Sequence, residues 1–237
     1  MPQIRLESVT KEFKVNGGYM RKGIENVSIE IKQGEFVFVV GNSGSGKSTL
    51  LKLMSGVLPA TSGNVYIDDV RITKKFDLNK SKLRRHFGHV WQESQMMRRR
   101  TVEDNLTMAA RAGGTVRHIP ETVKKALGLV GMAGAQERFP GELSLGEARR
   151  VELARAIINS PDFLLVDEIT ANLDNDNIMD LFELLKELNR LGTTVVMVTH
   201  ASDYVNIMRR RVVTMVGGRL IGDVPNGRYG DIIAKKF

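Results

Sequence analysis

The chain has 237 residues, 42% of them hydrophobic and 26% charged, which is ordinary for a globular protein with a sizeable core and argues against a disordered one. It contains no cysteine, which excludes a disulfide scaffold, a thiolate metal site and a cysteine nucleophile. Its net charge is +8, and all of that excess lies in residues 71–100. There Arg71, Lys74, Lys75, Lys80, Lys82, Arg84, Arg85, Arg98, Arg99 and Arg100 face only Asp77 and Glu93. Such a local excess points to a surface that meets something acidic, or to a solvated face.

In chain order, residues 4–40 read as short strands. Val27, Ile29 and Ile31 alternate with polar residues, and Phe36–Val40 is a continuous apolar run, the pattern of a strand covered on both faces. A glycine-rich loop and a helical stretch over Ser48–Gly56 follow. Residues 83–158 look mainly helical, with Thr101 as an N-cap, Pro120-Glu121 as a helix start, and Ser144-Leu145-Gly146-Glu147 as a capping box. Phe163–Val166 and Thr194–Val198 read as buried strands, and Asp180–Leu191 as an amphipathic helix with Leu181, Leu184, Leu185 and Leu188 on one stripe. Val212–Val216 and Arg219–Asp223 flank Gly217-Gly218, a hairpin signal. Alternating strands and helices imply an α/β fold with a parallel sheet and an inserted helical lobe. No apolar run reaches the roughly 18–20 residues of a membrane span, and the N-terminus has no secretory h-region. The expectation is a chain that neither crosses a membrane nor leaves the cell by that route.

Gly41-Asn42-Ser43-Gly44-Ser45-Gly46-Lys47-Ser48-Thr49 is a complete phosphate-binding loop between a strand and a helix. Its glycines let backbone N–H groups turn inward, and the helix start adds positive dipole character. In such a loop Lys47 reaches the β- and γ-phosphates and the Ser48 hydroxyl ligates Mg²⁺. A nucleotide polyphosphate is therefore the expected ligand. The apolar run 163–166 ends in Asp167-Glu168. Asp167 suits Mg²⁺, directly or through water, and Glu168 suits polarising an attacking water.

Leu143–Glu147, Ala171-Asn172-Leu173-Asp174 and Thr199-His200 complete an ordered series with the phosphate loop, Gln92 and the acid pair. In this the whole chain resembles the ATPase subunits of ABC transporters. The resemblance implies a P-loop NTPase with a RecA-like core, an N-terminal antiparallel β subdomain and an inserted α-helical subdomain. It implies one ABC ATPase domain over 1–237, with a catalytic lobe of 1–85 and 159–237 and a helical lobe of 86–158 carrying the signature motif. It also implies an ATPase using ATP and Mg²⁺, with Gln92 sensing Mg²⁺ and the γ-phosphate, and His200 contacting the γ-phosphate. A histidine after an apolar strand is otherwise a structural residue. Phe13 stands where the family stacks an aromatic on adenine; a core role for Phe13 and a stacking role for Tyr19 are the alternatives. Ser144, Gly146 and Asp174 would face nucleotide across a head-to-tail homodimer that sandwiches two ATP, although Ser144 also reads as a plain helix cap.

The chain departs from the family at Leu145, where Gly is usual, at Ile169, where Pro is usual, and at Ala148-Arg149, where Gln-Gln is common. Slow but retained turnover is the expectation. The stretches Arg100–Asn105, Phe139–Ser144, Asn189–Met197, Met208–Val213 and Gly227–Gly230 narrow the resemblance to the bacterial cell-division branch of the family. That branch implies a polytopic membrane partner, peripheral attachment through it at the cytoplasmic face of the cell membrane, and regulation of peptidoglycan hydrolases. The alternatives are the ATPase of a lipoprotein-release or macrolide-efflux exporter, and an ATP-gated scaffold with little turnover. No nucleic-acid partner is expected. On this reading Lys82–Arg85 and Arg98–Arg100 would meet anionic headgroups or acidic loops of the partner.

Overall fold

The computed structural model describes residues 3–15, 18–72, 85–115 and 117–232. Lys74, Lys75, Lys80, Lys82 and Arg84 of the basic stretch lie outside them. The chain divides into two compact units, Met1–Arg84 with Thr194–Phe237, and Arg85–Thr193.

In the first unit, β1 (Gln3–Lys14) pairs antiparallel with β2 (Met20–Lys32) and with β4 (Ser62–Ile67), which pairs in turn with β5 (Val70–Ile72). The sequence suggested short strands here, yet β1 and β2 run for 12 and 13 residues. Ser8 and Asn26 adopt positive φ, and the register shifts between Leu6 and Val9 and again before Glu12. These bulges break the alternation on which a sequence reading depends. The same unit holds β3 (Phe36–Val40), flanked in parallel by β8 (Thr194–Val198) and β9 (Arg211–Val216), and the β9–β10 hairpin closed by β10 (Arg219–Val224). Every residue of β3 and β8 is buried, as their unbroken apolar runs require. Helix α1 (Lys47–Met54) packs against β1, β2, β4 and β8. It buries Leu50, Leu51, Leu53 and Met54.

In the second unit, β6 (Phe87–Val90) runs parallel to β7 (Phe163–Asp167), with Val90 opposite Val166. β6 is a strand inside the stretch read as mainly helical. It is four residues long and interrupted by Gly88, so no periodicity marks it. Gly88 is needed because a Cβ there would lie 2.4 Å from the Ala156 carbonyl oxygen. Helices α2 (Val102–Ala112), α3 (Ile119–Leu129) and α4 (Leu145–Ile157) pack on one another, and α4 also packs on β6. The expected caps form: Thr101 Oγ1 accepts from Asp104 N at 3.1 Å, and Pro120 lies in the first turn of α3. Helix α5 (Asn175–Arg190) buries Leu181, Phe182, Leu185 and Leu188. It starts earlier than its apolar stripe because Asp174 caps it, accepting from Asn177 N at 2.8 Å. A short helix in the first unit, α6 (Ser202–Met208), follows β8. Among the described residues no helix is long and apolar enough to cross a membrane.

Candidate functional site

The candidate residues are shared between the two units. In the first, β3 delivers the chain into Gly41–Gly46 and α1 begins at Lys47. Gly41, Gly44 and Gly46 have φ of 146°, 73° and 99°, backbone that a side chain would oppose. Close approach adds to this. A Cβ on Gly41 would sit 2.1 Å from the Met215 carbonyl oxygen, and one on Gly46 would sit 2.5 Å from that of Gly23. The β9–β10 turn supports the loop from behind, since Gly218 N donates to the Ser45 carbonyl at 3.0 Å. In the sequence Gly217-Gly218 signals only a hairpin turn, and nothing local to it marks this second task.

Lys47 is buried and lies over the loop, donating from Nζ to the carbonyls of Gly41 and Asn42 at 2.9 and 3.0 Å. The Ser45 hydroxyl is buried with no described partner. The N-cap of α1 is Gly46, which has no side chain to cap the helix start. A concave run of backbone, an ammonium and an orphaned hydroxyl fit a bound polyphosphate. Ser43, Ser48 and Thr49 complete the loop in the register expected of the motif.

Phe13 is not a core residue. The residue is 37% exposed, and its ring lies against Gly23, where a Cβ would be 2.5 Å from Phe13 Cε2. Lys11 Nζ sits 5.4 Å from the ring centre. Tyr19 is far more exposed, at 76%, and no ring contact is described for it. His200 is exposed past the end of β8, its Nδ1 3.2 Å from the Tyr229 hydroxyl. Tyr229 N in turn donates to Asn206 Oδ1.

In the second unit, Asp167 ends β7 with 4% exposure. Glu168 follows at φ 49°, a left-handed conformation that costs a non-glycine residue about 1–2 kcal/mol. It turns the chain sharply after a fully buried strand. Ile169, at the position where Pro is usual, is completely buried. Gln92 lies just past β6, as Glu168 lies just past β7, so the parallel register sets both beyond the same ends of neighbouring strands. Gln92 is exposed, and its carbonyl accepts from Arg149 Nη2 at 2.8 Å.

The signature helix α4 opens with the expected capping box: Ser144 Oγ accepts from Glu147 N at 3.2 Å, and Ser144 N donates to Glu147 Oε2 at 2.8 Å. Arg138 donates to Glu147 at 2.6 and 3.2 Å, and Arg138 followed by Ser144 holds the Glu147 carboxyl down to about 2. Leu145, one residue into the helix, is 43% exposed. Asp174 accepts from both the backbone and the side-chain amide of Asn177, which lowers its pKa. Asn177 therefore links Asp174 to Gly146, beside which it packs. The Asp-x-x-Asn spacing is the sequence signal for Asn177, masked because Asp174 also ends the loop motif Ala171–Asp174.

Ser48 in the first unit carries a hydroxyl, and Gln92 and Asp167 in the second carry an amide and a carboxylate, each a hard oxygen of the kind that ligates Mg²⁺. Among the described residues no group of three or more His, Asp or Glu could hold a metal alone.

A family model described as ABC transporter matches residues 24–171. The chain is 40% identical to the cell division ATP-binding protein FtsE of Mycobacterium tuberculosis, covering 96% of this chain and 98% of that one. It is 37% identical to the FtsE of Bacillus subtilis, covering 88% and 92%. Methionine import ATP-binding protein MetN of Histophilus somni is 36% identical, with 98% of this chain but only 66% of that protein covered. Among solved structures, a dimeric ATP-binding cassette in a post-hydrolysis state bound to ADP and Pi superimposes with a TM-score of 0.85 at 30% identity, over 95% of this chain and all of the other.

Proposed function

Because the chain belongs to the ABC transporter family, we propose that it is the ATP-binding and ATP-hydrolysing subunit of a cell-division complex of the FtsE–FtsX type. The carrying observation is the phosphate loop, with Lys47 laid across it and the Ser45 hydroxyl buried and orphaned inside it.

In this reading the backbone from Gly41 to Thr49 binds the phosphates, Lys47 neutralises the β- and γ-oxygens, and Phe13 stacks on adenine. Ser48, Gln92 and Asp167 hold Mg²⁺, which offsets phosphate charge when bound. Glu168 takes the proton of the water whose oxygen bonds to the γ-phosphorus, while the bond from that phosphorus to the β–γ bridging oxygen breaks and ADP leaves with phosphate. His200 contacts the γ-phosphate and is steadied by Tyr229. Two copies sandwich two ATP. Ser144 and Gly146 of one copy, with its Asp174, face the nucleotide held by the other, an anion at a capped helix start. The catalytic lobe is 1–85 with 159–237, and the helical lobe 86–158 relays the state of Gln92 to the membrane partner. That partner is a polytopic, FtsX-like permease that regulates peptidoglycan hydrolases. The chain attaches through it, peripherally, at the cytoplasmic face of the bacterial membrane.

Coverage of the relatives supports this choice over the importers: the chain spans nearly all of the FtsE proteins but about two thirds of MetN. Complementation tests it. Expression in cells depleted of their own cell-division ATPase should restore division. Restoration of only methionine uptake, lipoprotein release or macrolide export would overturn the assignment.

A further inference from the structure

Helix α4 holds the backbone on which Gln92 sits. Arg149, one turn into that helix, donates from Nη2 to the Gln92 carbonyl at 2.8 Å and from Nη1 to the Trp91 carbonyl at 3.4 Å. The same Nη1 donates to Glu152 Oε2 at 2.7 Å. The Arg149 and Glu152 side chains are only 10% and 6% exposed. Farther along the helix, Arg155 Nη1 donates to the Gln95 carbonyl at 2.8 Å. The Trp91 ring stacks on that of His89, with their centres 4.9 Å apart.

A buried Arg–Glu pair is a weak device for stability, since desolvating both charges consumes most of their attraction. Here the pair leaves Arg149 Nε and Glu152 Oε1 buried without a described partner, a further cost. What the pair does accomplish is geometric. A planar guanidinium fixed by Glu152 fastens two successive peptide carbonyls, and a point-charge ammonium could not span them. Gln92's own side chain stays exposed while its main chain is clamped.

We propose that Arg149 and Glu152 form a positioning pair that locks the Gln92 backbone to the helix whose N-terminus carries Ser144 and Gly146. The Gln92 loop and the signature motif then move as one body. Neither residue of the pair touches nucleotide; both act through Gln92. The inference rests on the reading of Gln92 as the residue that senses Mg²⁺ and the γ-phosphate.

The test is steady-state ATP hydrolysis by the full-length chain, titrated separately with ATP and with Mg²⁺, for Q92A, R149M, E152Q, R149K and the double variant Q92A/R149M. Q92A and R149M should each lower kcat about fivefold or more and raise the Mg²⁺ needed for half-maximal rate, with the KM for ATP within about twofold of the parent. The double variant should be no worse than the poorer single one, because both changes break the same linkage. R149K, which keeps the charge but lacks the fork, should recover only part of the rate. If R149M does not fold, E152Q carries the same readout with the side-chain shape preserved. Parental kcat and Mg²⁺ dependence in R149M and E152Q, beside an impaired Q92A, would overturn the positioning pair and leave the Gln92 reading standing. An unimpaired Q92A would overturn both, and multiplicative losses in the double variant would overturn the linkage.

Discussion

The Cβ atom that Gly146 lacks would lie 2.4 Å from the side-chain oxygen of Asn177, the residue whose two N–H groups hold Asp174. The signature glycine is thus required twice, once for the proposed approach of a partner's nucleotide and once for packing beside the loop that ends at Asp174. G146A separates the two. Alanine gains up to about 1 kcal/mol of helix propensity, while displacing Asn177 weakens a cap worth about as much, so the thermal midpoint should move little. ATP turnover should fall more than about tenfold, the loss expected when an interaction made only in the transition state is disturbed. Adding N177A relieves the clash and should leave turnover low. Recovery of turnover in G146A/N177A would reduce Gly146 to a packing residue.

Glu147 sets a second expectation, in pH. Its carboxyl is held at about 2 by Arg138 and Ser144, below the ordinary value of 4.5. A folded-state pKa below the unfolded one contributes stability above about pH 4.5, and that contribution is lost as pH falls toward 2. E147Q should therefore be less stable than the parent at pH 6, and the gap should close between pH 4.5 and 2, as followed by denaturant unfolding at each pH. A gap that stays constant with pH would show that the capping geometry, not the charge, does the holding.

Much of this architecture could be read in the sequence because its signals are local. Phe36–Val40, the loop ending at Lys47-Ser48, and Ser144-x-x-Glu147 each carry their own punctuation, and each forms where expected. The signals that failed are those set by distant neighbours. Gly88 hides a strand because the backbone of Ala156 leaves no room for a side chain. Gly218 supports the phosphate loop through a bond to Ser45, a residue 173 positions away. Arg149 and Glu152 look like the polar face of a helix and are instead buried, because the carbonyls they serve lie on β6's outgoing loop.

Leu145 begins the signature helix with 43% of its surface exposed. Replacing it with glycine removes little packing and costs the helix at most about 1 kcal/mol. If bulk at this position slows dimer closure, L145G should raise phosphate release several-fold with only a small drop in thermal midpoint. An unchanged or lower rate would mean that bulk at Leu145 does not slow closure.

Arg98, Arg99 and Arg100 are exposed on a turn stapled by the buried Asn105, which bonds to the backbone of Met97, Arg100 and Thr101. Their backbone is therefore fixed, and the charges are presented outward. Reversing all three to Glu should weaken recruitment to membranes carrying the permease partner while leaving ATP affinity intact, as read by co-sedimentation and nucleotide titration. Undiminished recruitment would assign the charge to solvation alone.

Glu168, the proposed general base, is held in a left-handed conformation just past the end of β7. The most direct measurement is phosphate release with Mg²⁺ and ATP, alongside ATP occupancy and oligomeric state, for the parent and E168Q in the presence of the membrane partner. The parent should release phosphate. E168Q should bind ATP, remain dimeric with two ATP held, and release phosphate at least about a hundredfold more slowly, as befits a lost general base. Phosphate release by E168Q at the parental rate, or none from the parent itself, would contradict the account.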